Sequence, residues 1–156
     1  MIAKRSPLDL KDFALIHQQY QFTPPAQEGV NIESILDAYK IDVDFSINTA
    51  DEQVFQLYME IAINNDKSLP GYSIYSQGVG LFDFSRFPKL TQKEKRDFLQ
   101  FSGISICINQ LRGIINLLTT HGPFGKYLLP AIDVNDLLKQ KVKSLEKPGK
   151  SRTKKA

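Results

Sequence analysis

Residues 39–64 read YKIDVDFSINTADEQVFQLYMEIAIN. The first ten alternate without error. Tyr39, Ile41, Val43, Phe45 and Ile47 fall on one side; Lys40, Asp42, Asp44, Ser46 and Asn48 fall on the other. In residues 53–64 the pattern repeats with Phe55, Leu57, Met59, Ile61 and Ile63. A period of two marks a strand, because successive side chains leave a pleated backbone on opposite faces. One apolar face and one wet face point to antiparallel pairing, since parallel sheets are covered on both sides. Thr49-Ala50-Asp51-Glu52 suffices for a turn but not for a crossover. A hairpin with one buried face is predicted, and the rest of the chain must cover it.

Working outward, Pro70-Gly71 breaks the chain, and GYSIYSQGVGLFDF (71–84) follows as a fourth strand. Its Gly78 and Gly80 suggest a bulge or a close backbone approach. Upstream, FALIHQQYQFT (13–23) is a first strand, with Ile16, Tyr20 and Phe22 on one face and His17, Gln19 and Gln21 on the other. Gln18 does not fit. PPAQEGVNIESILDAY (24–39) is the crossover between the first two strands.

Past residue 90 the period changes. Thr91, with Glu94 three residues on, carries the signature of a capping box. Apolar residues then recur at helical spacing: Ile104, Cys107, Ile108, Leu111, Ile114, Ile115 and Leu118. Gly103 is placed to kink or divide this helix, and Gly122-Pro123 ends it. THGPFGKYLLPAIDV (120–134) is a connector with two Gly and two Pro, yet it keeps Phe124, Tyr127, Leu128, Leu129 and Ile132. VNDLLKQKVKSL (134–145) closes the fold as an amphipathic helix, with Val134, Leu137, Leu138 and Val142 on one side. The expected class is α+β: four antiparallel strands, a long helix, an apolar Pro/Gly loop and a short C-terminal helix. Residues 1–12 read as an extension, 13–146 as one domain and 147–156 as a basic disordered tail.

The stripe on the long helix is wider than one sheet needs. Ile106 and Leu117 extend it past the usual arc of about 100°. The excess calls for a second copy of the chain. Ile104, Ile108, Leu111, Ile115 and Leu118 are expected at that interface, with Gly113 allowing two helices to come close.

No chemistry is legible. The chain has two histidines, His17 and His121, far apart in sequence, and a single cysteine, Cys107, on an apolar helix face. No disulfide, metal site or cofactor motif is expected, and an enzyme is not. Gly149-Lys150-Ser151 lacks the upstream glycine of a phosphate loop, since position 144 is serine. No apolar run approaches the roughly 18 residues of a membrane span, and the N-terminus carries no signal stretch. A cytoplasmic protein without membrane insertion is expected. Charge is uneven: residues 1–138 hold 12 Lys and Arg against 16 Asp and Glu, while 139–156 hold eight against one. Nucleic-acid binding through that tail is the alternative function. The tail has no aromatic residue to stack on bases and reads more simply as a solvated segment.

The order of elements, with this loop, resembles the SecB family of protein-export chaperones over residues 13–145. Arg112, Gly122, Phe124, Leu129, Ile132 and Leu137 sit without gaps on the family's C-terminal pattern, "YAR…G.F..L.L.PVNFDALF". QGVGLFDF (77–84) is similar to the family's "QQGGIFSI" strand, and Pro24-Pro25 stands where the family has an Ala-Pro turn. The resemblance implies a homotetramer, a dimer of dimers, that holds unfolded polypeptide without ATP. It implies a groove with Phe124, Tyr127 and Leu128 on one wall and Val30, Ile32, Ile35 and Leu36 of the crossover on the other. The family's partners are preproteins and the motor SecA, or an antitoxin in toxin–antitoxin–chaperone systems. SecA docks through acidic residues, and the matching positions here are Gln19, Thr23 and Tyr75, none of them acidic. That departure favours a dedicated client over general protein transport.

Overall fold

A computed structural model describes residues 1–146. The tail at 147–156 lies outside the described residues. The chain runs β1 (Asp9–Thr23), α1 (Ile32–Asp37), β2 (Ile41–Thr49), β3 (Val54–Ile63), β4 (Gly71–Asp83), α2 (Gln92–Phe98), α3 (Ile104–Thr119) and α4 (Val134–Glu146). All pairings are antiparallel and the order is β1-β4-β3-β2. The expected α+β architecture is the one found. The central strands carry the alternation to its limit: Phe55, Leu57, Met59, Ile61 and Ile63 of β3 are fully buried. The register pairs Phe45 with Met59 and Met59 with Gly78, so three strands share one apolar face.

β1 begins at Asp9, four residues earlier than expected, and Leu8 just before it is buried. The period misled because β1 slips register twice against β4, between Leu10 and Asp12 and between Leu15 and His17. A bulge inserts one residue and inverts the parity beyond it. Gln18 thereby faces Ser76, whose hydroxyl donates to its Oε1 at 3.0 Å. The glycines of β4 are close approaches, and the second register shift of β1 falls opposite Gly78. A Cβ on Gly78 would lie 2.4 Å from the Phe13 ring, and one on Gly80 would lie 2.7 Å from Cys107 Sγ.

The Thr91–Glu94 capping box forms as expected. From Gln92 the chain is helical to Thr119, passing through a π-turn at Leu99–Gly103. Gly103 therefore widens the helix and does not break it. Its missing side chain admits Leu57 of β3, and any Cβ would sit 3.4 Å from that side chain. By length and composition alone, Gln92–Thr119 could span a bilayer, a run the sequence reading passed over. Here Ile104, Cys107, Ile108, Leu111 and Ile115 are buried, and α3 packs on β3 and β4.

Candidate functional site

The strongest contrast in packing falls along β2. It is an edge strand, and α4 is the element beside it. α4 has no buried residue; Val134, Leu137 and Leu138 only half-bury against the core. Two clefts remain between strand and helix. One, of about 300 Å³, is lined by Ile41, Val43, Ile132 and Leu137 with Asp42, Asp133 and Asp136 at its rim. The next, of about 250 Å³, continues past Val43, Phe45 and Leu137 to Lys141 and Ser144. Sharing Val43, Leu137 and Gln140, they form one shallow groove in which Ile41, Val43, Phe45, Ile132 and Leu137 alternate with Asp42, Asp44, Asp133, Asp136 and Lys141. The apolar β2 residues of that groove were legible in the sequence as one strand face. What was not legible is that α4 leaves Ile41 and Val43 only partly covered while Phe45 is buried.

The apolar connector 120–134 is anchored by more than its prolines. Tyr72 Oη donates to the Gly125 carbonyl at 2.7 Å and accepts the Phe124 N–H at 3.0 Å. Thr119 Oγ1 accepts the Tyr127 N–H at 2.8 Å. Arg112 donates from Nε to the Leu129 carbonyl at 2.9 Å and from a terminal nitrogen to that of Pro130 at 3.0 Å. Across the other end, Tyr39 Oη donates to the Pro70 carbonyl and accepts the Tyr72 N–H. Gly71 there has φ +95°, and a Cβ would meet that same hydroxyl at 2.2 Å, so glycine is required.

This anchoring sorts the expected groove residues. Tyr127 is 4% exposed and stacks on Tyr39 with ring centroids 5.7 Å apart, so it belongs to the core and not to a groove wall. Burial pushes its phenol up to about 12, with the Tyr39 phenol and the Asp37 carboxylate adding to the rise. Phe124 is half-buried, edge-on to Phe22 at 5.1 Å. Val30, Ile35 and Leu36 are half-buried. Ile32, at 38% exposed, and Leu128, at 64%, present apolar surface to solvent.

The interface residues sort in a similar way. Ile104, Ile108, Leu111 and Ile115 are buried under the chain's own sheet and have no surface to offer a second copy. Leu118 is half-buried, and Gly113 faces open space. The helix positions left bare are Phe101, 65% exposed, and Leu117, 76% exposed, with Ile106 and Ile114 half-covered. On β1, Leu15, Ile16 and Tyr20 are exposed as well. The sequence identified an excess of apolar stripe; the sheet took its centre and left its flank.

Gln19 and Tyr75 pair across β1 and β4 on the wet face, and Thr23 lies opposite Gly71 at the end of the same strands. Gln19 and Tyr75, with Gln21, Asn65, Lys67 and Ser73, line an open polar cleft of about 600 Å³. Tyr75 meets His17 edge-on at 5.5 Å, and burial followed by the nearby Glu60 carboxylate raises its phenol pKa. Cys107, fully buried, has its thiol pushed up to about 12 by desolvation, which keeps it protonated and unreactive. His121 is exposed beyond α3.

No protein-family model matches the chain, and no curated protein matches it. Among solved structures, it is similar to a SecB-like chaperone of Mycobacterium tuberculosis, solved in complex with a ChAD peptide from an antitoxin. The TM-score is 0.57 at 14% identity, over 81% of this chain and 91% of that one. A Streptococcus agalactiae protein of unknown function aligns over 80% of this chain and 97% of its own, with 10% identity and a TM-score of 0.39. The fold that the sequence resemblance implied is thus the fold of a SecB-like chaperone.

Proposed function

We propose that the chain is an ATP-independent holdase of the cytoplasm that binds extended apolar segments of unfolded polypeptide. The observation that carries this reading is the groove between β2 and α4, together with the exposed Ile32 and Leu128 on connectors that are otherwise hydrogen-bonded in place. A pre-ordered apolar surface loses little entropy on binding. It holds no catalytic constellation among the described residues, which suits capture over turnover. The structural neighbour's antitoxin peptide and the absence of an acid at Gln19, Thr23 and Tyr75 together favour a dedicated, aggregation-prone client such as an antitoxin over SecA-linked export. The exposed Phe101 and Leu117 beside α3 and the exposed Leu15, Ile16 and Tyr20 of β1 favour a homo-oligomer, with a tetramer as the expected state; apolar surface left in water often marks an interface.

The test is an aggregation assay with a reduced, unfolded protein as client. Ile32→Asp and Leu128→Asp should each lower protection severalfold while circular dichroism and subunit count stay unchanged. Full protection by both variants would remove these two exposed residues from the client surface. Light scattering at micromolar concentration should give about four subunits, and Leu117→Asp should reduce that number.

A further inference from the structure

We infer that Lys141 and Asp44 form an ionic latch that holds α4 as a lid over the groove and closes the free edge of β2. The inference rests on reading that groove as the polypeptide site, and it adds how access is set.

Packing alone holds α4 loosely, since none of its residues is buried and unfilled space remains beneath it. The specific tie is one side chain. Lys141 Nζ lies 2.6 Å from Asp44 Oδ1, and the same ammonium sits 5.4 Å from the centroid of the Phe45 ring. Asp44 Oδ1 also accepts the Phe45 backbone N–H, at 2.8 Å. By alternation Asp44 belongs to the wet face of β2, whereas α4 packs beside the apolar face that carries Val43 and Phe45. The pair therefore reaches around the edge of the sheet. The carboxylate blunts an edge donor that an incoming strand would otherwise claim, and the lysine ties the helix to it.

The Lys141 side chain is 27% exposed and that of Asp44 64% exposed, so water and salt screen the pair. Exposed pairs shift equilibria only by a factor of roughly two to five. A latch of that strength biases α4 toward the closed position and still lets a modest ligand open it.

Hydrogen exchange of the α4 amides in the full chain, without client, tests the latch. Lys141→Met keeps the apolar stem and removes the charge; Asp44→Asn keeps the shape and an acceptor for the Phe45 N–H. Each should speed α4 exchange by about two- to fivefold and leave β3 unchanged. The double variant should be no faster than either single one, because both remove the same contact. Added 0.5 M sodium chloride should speed the wild type similarly and leave Lys141→Met unmoved. Wild-type exchange rates in both single variants, or additive effects in the double, would overturn the latch. The readout contains no client, so a chain that fails the aggregation assay yet shows these rates loses the holdase reading and keeps the latch.

Discussion

β3 and α4 flank the same strand, β2, and they differ in nearly every physical respect. Every second residue of β3 is fully buried and pairs on both sides. α4 buries nothing, carries Val142 and Leu145 into solvent, and is tied down by one lysine. β3 is held by area removed from water, which is large and insensitive to salt. α4 is held by a few half-covered side chains and an exposed ion pair, which are small and adjustable. The proposed polypeptide site lies between the two, where a rigid floor meets a loose wall. A site needs both, because the floor supplies pre-organisation and the wall supplies access.

The comparison breaks first if the rigid side is not rigid. Phe55→Ala should cost about 3–5 kcal/mol in urea unfolding, the usual loss for a fully buried aromatic. A loss below 1 kcal/mol would mean that the sheet core is not the main source of stability. Tyr127→Ala should fall in the same class, at about 3 kcal/mol, since its ring is buried against Tyr39. If instead it melts like the wild type and fails to protect a client, the loop belongs to the loose side.

A smaller effect comes from pH. The Cys107 thiol ionises near 12 when folded and near its ordinary value of about 9 when unfolded. The unfolded chain therefore releases this proton first. The stability linked to the thiol is fully present below about pH 9 and is lost as pH rises toward 12, by up to about 1.4 kcal/mol per pH unit. Tyr127 adds loss in the same direction above about pH 10. Urea midpoints should fall between pH 9 and 10 in the wild type and stay nearly flat there in Cys107→Ala. The smallest effect belongs to the exposed connectors: Ile32→Asp and Leu128→Asp should change stability by under about 0.5 kcal/mol. A larger loss would place these residues in the core with Tyr127.

The hairpin at 39–64, the capping box at Thr91 and the end of α3 at Thr119, just before Gly122-Pro123, were legible because each is a local preference written in nearby residues. So was the amphipathic character of α4. β1 was harder. Its two register shifts come from pairing with β4, 56 residues away at Gln19 and Tyr75, and no local period reports a bulge. Gln18 stood out in sequence as a mismatch, and the mismatch was real: it marks the side chain that bonds Ser76.

By itself the sequence determined that one sheet face is apolar, that a long helix must cover it, that no catalytic cluster is spelled out, and that apolar residues exceed what one layer consumes. Those follow from composition and period, which are properties of neighbours along the chain. Only the tertiary structure decided where the excess went. Ile104 and Leu111 look the same in sequence as Leu117, and Tyr127 the same as Leu128. Burial depends on which side of α3 meets β3 and β4, and on the hydrogen bonds from Tyr72, Thr119 and Arg112 that turn the connector. The tie from Lys141 to Asp44 spans 97 residues and crosses a sheet edge. A contact that distant depends on how the layers stack, and no spacing along the chain encodes it.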